Sequence, residues 1–162
     1  MQITVQKHQL QQQQKTGKNS PHPNTTWIPP VQGMMKVNID GAFPTAGYLG
    51  AISSISRDHT GRLLGGFTKS VPASSALETE IQALLYTLKD LLQQGKHHSD
   101  LIIETDCLIL VEVMNRERLP PWDCRALLAE CADILPSFSN LKVTHCRRSA
   151  NALADWAAKA HG

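Results

Sequence analysis

Nowhere in the 162 residues is there a run of about 18 apolar side chains, the length that a membrane-crossing helix requires. Residues 1–10 alternate polar and apolar side chains and lack the continuous apolar stretch of a signal peptide. These absences predict a soluble, intracellular protein without a membrane partner, and leave nucleus or cytoplasm open. Closely spaced cysteine pairs are missing as well. Cys107, Cys124, Cys131 and Cys146 show no separation of two to four residues of the kind zinc sites use, so reduced thiols in the core are expected. Acidic residues are absent from the first 26 positions, which hold Lys7, Lys15 and Lys18. The remaining residues, 27–162, carry 13 basic and 14 acidic side chains, so they also lack the basic excess of a domain that grips nucleic acid through phosphates alone.

The chain length suits one core rather than two. Seven of the first fourteen residues are Gln, and residues 15–26 add Gly, Ser, Pro, Asn and Thr. Such a composition buries too little apolar surface to order itself, which predicts a disordered Gln-rich tail or linker over 1–26 and a folded domain over 27–162. Met35, Val37 and Ile39 alternate with Lys36, Asn38 and Asp40, the pattern of a half-buried strand that ends at Gly41. Residues 49–57 and 62–69 are further strands, joined through a hairpin turn at Asp58, His59, Thr60 and Gly61. Leu77, Ile81, Leu84, Leu85, Leu88, Leu91 and Leu92 recur at helical spacing between Ser74–Ser75 and Gly95. Residues 101–105 make a short strand expected to run parallel to the first, because a helix connects them. Helices are expected at 108–113 and 125–135, a fifth strand at 141–146 and an Ala-rich helix at 150–160. The order predicts an α/β fold: a mixed five-stranded sheet, three antiparallel strands followed by two parallel ones, flanked by helices.

Four acids stand out, and each has an ordinary explanation. Asp40 precedes Gly41, as turn residues do. Asp106 lies just before a helix, where N-capping accounts for it. Glu80 and Glu78 both suit a helix N-terminus, and both flank the apolar stripe, so periodicity alone leaves open which one faces Asp40. Asp155 has Lys159 four residues on, a surface pair. Collectively the reading changes. Asp40 and Asp106 end strands that are expected to be parallel, and ligands collect at such carboxyl ends. Four converging acids repel unless cations neutralise them, and hard oxygen ligands select magnesium or manganese.

Five segments, WIPPVQGMMKVNIDGA (27–42), Gly50 through SRDHTG to Gly66, SALETEIQALLYTL (75–88), IIETDCLILV (102–111) and HCRRSANALADWAAKA (145–160), resemble the type 1 ribonuclease H family. The resemblance is closer to its plant retrotransposon-like, reverse-transcriptase-associated branch, and it spans nearly everything after the tail. The acids keep the family order, 40, 26 and 49 residues apart. The resemblance implies endonucleolytic hydrolysis of the RNA strand of RNA/DNA hybrids, leaving 5′-phosphate and 3′-hydroxyl ends, with two Mg2+ ions that Mn2+ can replace. It selects Glu80 over Glu78, because Ile81, Gln82, Ala83 and Leu84 follow Glu80 as the family pattern requires. It further implies that Asp40 bridges both ions, that Asp106 is the ligand of the fourth strand, and that Asp155 is the final-helix ligand that completes the second ion's shell. Gly41, Ala42 and the side chains near Ser74 and Ser75 would contact the substrate, and Arg148 would hold a phosphate.

Two departures from the family pattern bear on activity. The loop before the last helix reads Arg147, Arg148, Ser149, Ala150 where many relatives place a mobile His, and His145 suits a structural role. Residues 89–125 lack a basic, aromatic-rich insertion for gripping the hybrid. The expected protein is a monomeric, metal-dependent ribonuclease H. The alternative is an inactive, mobile-element-derived module that binds nucleic acid or protein.

Overall fold

The computed structural model describes residues 3–4, 26–44 and 49–161. The expected tail therefore lies outside the described residues, except for Thr26 and a two-residue strand, β1 (Ile3–Thr4). The main strands are β2 (Met34–Ala42), β3 (Leu49–Arg57), β4 (Leu63–Pro72), β5 (Asp100–Thr105) and β6 (Asn140–His145). The helices are α1 (Ala76–Gln93), α2 (Leu108–Met114), α3 (Arg125–Ile134) and α4 (Ala152–His161).

One sheet runs in the order β1-β6-β5-β2-β3-β4. β2, β3 and β4 are antiparallel neighbours, whereas β5 pairs parallel with β2 and β6 parallel with β5. This is the expected five-stranded arrangement with one addition: β1 pairs parallel with β6 through Ile3↔Leu141 and Thr4↔Lys142. β6 would otherwise present an unpaired outer edge, so even two residues of a polar segment find backbone partners there.

Local chemistry explains where the elements begin and end. Asp58 holds the β3–β4 turn by accepting hydrogen bonds from Thr60 N at 2.8 Å and Arg62 N at 3.0 Å, and Gly61 supplies the positive φ of 82°. β4 continues past the expected end at Lys69, because Val71 and Pro72 still pair with Gly50 and Leu49. Ser75 caps α1 by accepting from Glu78 N, while the Glu78 carboxylate accepts from Ser74 N and Oγ. Ile81, Leu84, Leu88 and Leu91 press against Val37, Ile39, Leu101 and Ile103, all essentially without solvent contact. Burying each such side chain is worth about 1.5–3 kcal/mol.

The first long strand is not half-buried. Lys36, Asn38 and Asp40, expected on a solvent face, are buried as deeply as Met35 and its apolar partners. α1 covers one face of the sheet and α4 covers the other, so β2 has no wet side. Hydrogen bonding makes this tolerable. Asn38 donates to Glu104 Oε1 at 3.0 Å and to Asn151 Oδ1 at 2.9 Å, and its own oxygen accepts from Trp27 Nε1 at 2.9 Å. Lys36 pairs with Glu104 at 3.4 Å, and the Arg57 guanidinium lies 3.8 Å from the Trp27 ring centre. A polar alternation therefore marks a second interface here rather than a surface. The last helix also begins differently from expectation: Arg148–Asn151 forms a 3-10 turn before α4. No helix among the described residues is long and apolar enough to cross a membrane.

Candidate metal centre

The parallel pairing of β2 with β5 ends at Ile39↔Thr105, so Asp40 and Asp106 follow on adjacent strands at the same sheet edge. Neither residue fits its ordinary explanation. Asp40 precedes a glycine that lies inside the strand, not in a turn, and α2 is capped by Cys107 rather than by Asp106.

Gly41 shows why the strand and α1 can meet. A Cβ at this position would stand 2.6 Å from Thr79 Oγ1, 2.8 Å from the Thr79 carbonyl carbon and 2.9 Å from Glu80 N. Only a residue without a side chain lets the helix backbone come so close, and that approach carries the Glu80 carboxylate to Asp40. Glu78 is held in the α1 cap, so the two candidate glutamates have separate duties.

Asp40, Glu80 and Asp106 each offer one carboxylate oxygen, and the three oxygens lie within 4.8 Å of one another. Asp40 and Glu80 are buried, and Asp106 is half-buried. Burial, followed by the charges of Asp106 and Asp155, pushes Asp40 up to about 7. Burial and the charges of Asp40 and Asp106 push Glu80 up to about 9. Asp106 is raised too, by burial and by Asp155, against the pull of Arg148 and a hydrogen bond from Asn151. Such acids resist sharing negative charge unless a cation joins them. Glu80 Oε2 is buried without a hydrogen-bond partner among the described residues. An orphaned carboxylate oxygen facing two further acids fits a hard divalent cation.

Asp155 behaves otherwise. It stands outside the trio, 3.1 Å from Lys159 Nζ and 3.6 Å from Arg148 Nη2. Burial tends to raise it, but the hydrogen bonds from Lys159 and Asp40 and the charges of Lys159 and Arg148 prevail, holding it below the usual carboxylate range. The surface pair with Lys159 expected from sequence is therefore present, yet both partners line the cleft that holds the acids.

That cleft has a volume of about 690 Å3. Its floor includes Asp40, Glu80 and Asp106, Gly41 and Ala42 lie along one wall, and Arg148 and Lys159 stand at the rim. Ser74 and Ser75 are engaged in the α1 cap. His145 is half-buried beside Asp106, outside the cleft lining, and burial lowers its pKa.

Asn151 is the residue that sequence reasoning passed over. It is buried, donates to the Ile39 carbonyl at 2.9 Å, accepts from Asn38, and lies near enough to Asp106 to oppose the rise of that carboxyl's pKa. One side chain thus ties the 3-10 turn before α4 to the end of the strand that carries Asp40, beside Asp106. Its position at the entry to an Ala-rich helix, four residues before Asp155, was the available signal.

Residues 38–161 match the reverse transcriptase-like family. The chain belongs to that family. An Arabidopsis thaliana protein that bears the name ribonuclease H is 28% identical over 129 residues, which cover 80% of this chain. The chain spans only about one fifth, 20%, of the length of that relative. Solved structures share the fold of this reverse transcriptase-like domain. RNase H1 from the archaeon Halobacterium salinarum NRC-1 superposes with a TM-score of 0.69 at 20% identity, covering 78% of this chain and 96% of that one. The N-terminal ribonuclease H domain of a Mycobacterium tuberculosis protein gives 0.70 at 15% identity, covering 80% and 93%. LC11-RNase H1, solved in complex with an RNA/DNA hybrid, gives 0.67 at 20% identity, covering 78% and 94%. The family and the ribonuclease H fold read from the sequence are thereby established.

Proposed function

We propose that this domain is a metal-dependent endonuclease that hydrolyses the RNA strand of RNA/DNA hybrids. The observation that carries the proposal is the convergence of Asp40, Glu80 and Asp106, with one oxygen each inside 4.8 Å, on the floor of an open cleft. The named activity of the Arabidopsis relative and the hybrid bound to LC11-RNase H1 supply the substrate class.

Asp40, Glu80 and Asp106 would hold one Mg2+, and Asp40 with Asp155 a second, with Mn2+ able to substitute. Bound there, the two ions would supply Lewis acidity for activating water and for stabilising the leaving oxygen of an in-line displacement. The chain itself contributes placement. Asp40 is buried on a strand covered on both faces, so its carboxylate cannot swing away. Asn151 anchors the turn before α4 to the β2 terminus next to Asp40. Arg148, exposed at the rim, would take a phosphate oxygen next to the scissile bond. The backbone at Gly41 and Ala42, which also line the cleft, would contact the hybrid, and recognition of 2′-hydroxyls separates RNA from DNA. No side chain serves as a covalent nucleophile in this scheme. Four free cysteines suit a reducing, intracellular compartment.

The test is cleavage of an end-labelled hybrid. Wild-type protein with Mg2+ should cut the RNA strand alone, and Asp106→Asn should not. The near-neutral charge of residues 27–162 favours one competing reading, a non-catalytic binding module. Hybrid binding without any cleavage by the wild type, in Mg2+ or Mn2+, would establish that reading instead.

A further inference from the structure

Asp155 has a basic partner on each oxygen. Lys159 Nζ hydrogen-bonds Oδ2 at 3.1 Å, and Arg148 Nη2 stands 3.6 Å from Oδ1. Both side chains are more than half exposed, 56% for Lys159 and 71% for Arg148, so packing fixes neither of them. Both line the cleft. Among the described residues none of the other three acids forms an ion pair with Lys or Arg, and Asp155 lies outside the oxygen cluster that those three share.

From this arrangement we infer that Lys159 is an internal counterion, standing on Asp155 in place of a divalent cation and passing to a substrate phosphate when that cation binds. The inference rests on reading the acid cluster as a divalent-metal site. Each oxygen of Asp155 keeps further acceptor capacity, but the two basic side chains beside it oppose the approach of another cation. A divalent ion at coordination distance from Asp155 would also lie only a few ångströms from the ammonium, and like charges at that range repel strongly. One of the two cations must leave, and Lys159 is the one with the flexible four-carbon stem and compact charge. It sits one helical turn beyond Asp155 on the exposed side of α4, so its open direction is the cleft. A nucleic-acid phosphate lying there would give the displaced ammonium a new partner. Occupation of Asp155 by metal and occupation of the cleft by phosphate should therefore favour one another, as linkage requires.

Lys159→Gln removes the charge at an exposed site and should leave the fold intact, which the unfolding midpoint in EDTA checks. Mn2+ titration without nucleic acid, read by electron paramagnetic resonance, measures the ions directly. The weaker ion should bind about three- to tenfold more tightly to Lys159→Gln than to wild type, and Lys159→Arg should resemble wild type. Initial-rate kinetics at saturating Mg2+ should then show KM for the hybrid raised about three- to tenfold in Lys159→Gln, with kcat nearly unchanged. Unchanged Mn2+ affinity in Lys159→Gln overturns the inference even if the wild type cleaves hybrid normally, as does failure of the wild type to bind Mn2+. Tighter Mn2+ binding with unaltered KM overturns the transfer to phosphate. Tighter Mn2+ binding in a protein that cleaves no hybrid supports the counterion role and removes the nuclease reading.

Discussion

In metal-free buffer at pH 8, Asp40→Asn should be more stable than wild type, although it deletes a buried side chain's charge from the centre of the molecule. Asp40 has an ordinary pKa of 3.8 and is pushed up to about 7 in the folded chain by burial and by the charges of Asp106 and Asp155. Well below pH 3.8 the carboxyl is neutral in both folded and unfolded states and contributes no pH-dependent difference. As pH rises from about 4 through 7 the unfolded chain releases the proton first, so folding is progressively penalised. A displacement of roughly three units at 1.36 kcal/mol each gives about 4 kcal/mol as an upper limit. Neighbouring acids relax when one charge is removed, so about 1–3 kcal/mol is the reasonable expectation. For a domain of this size that corresponds to roughly 4–12 °C in Tm. The assay is thermal unfolding of wild type and Asp40→Asn in EDTA at intervals from pH 4 to 8, repeated with 10 mM Mg2+, a concentration chosen as about ten times a millimolar Kd. The two proteins should converge near pH 4 and separate as pH rises. Mg2+ should stabilise the wild type and leave the variant nearly unmoved. A variant that is less stable than wild type at pH 8 in EDTA, or a difference that does not vary with pH, would refute the electrostatic account of the cluster.

Three further outcomes follow from the same geometry. Gly41→Ala should cost about 1–3 kcal/mol in urea unfolding and weaken the Mg2+ response, since its new methyl group meets Thr79 and Glu80 backbone atoms at under 3 Å; an undisturbed Mg2+ response would mean that the close approach does not place Glu80. Asn151→Ala should cost about 2–4 kcal/mol by the same measurement, because the Ile39 carbonyl and Asn38 lose a buried partner. Glu80→Gln should abolish Mg2+ stabilisation, whereas Glu78→Gln should retain it and lose only about 1 kcal/mol from the α1 cap. Equal loss of the metal response in both glutamate variants would contradict the division of labour between them.

Much of this molecule was legible from local pattern. The strand over 49–57, the helix with its leucines at 3.6-residue spacing, and the turn built on Asp58 and Gly61 depend on neighbours close in sequence, and each forms where its residues indicate. Order and spacing of the acids, with the surrounding motifs, were enough to indicate the family to which the chain belongs. The choice between Glu78 and Glu80 was not legible from periodicity, because both flank the apolar stripe and only a family pattern separated them. Structure supplies the physical reason: Ser74 and Ser75 engage Glu78, and Gly41 admits the helix at the level of Glu80.

The alternation of Lys36, Asn38 and Asp40 was misleading for a related reason. A polar face in sequence is the same pattern whether water or a second polar layer covers it, and only the return of α4 through Asn151 decides between them. Likewise Lys159 reads as half of an ordinary surface pair until the tertiary fold sets that pair at the rim of the acid cleft. The sequence by itself determined the elements, their order, and which acids were available, since these follow from residue type and short-range spacing. Tertiary structure alone decided which of those acids share a focus, because that depends on the parallel register of β2 and β5 and on backbone contacts between residues some 40 to 110 positions apart.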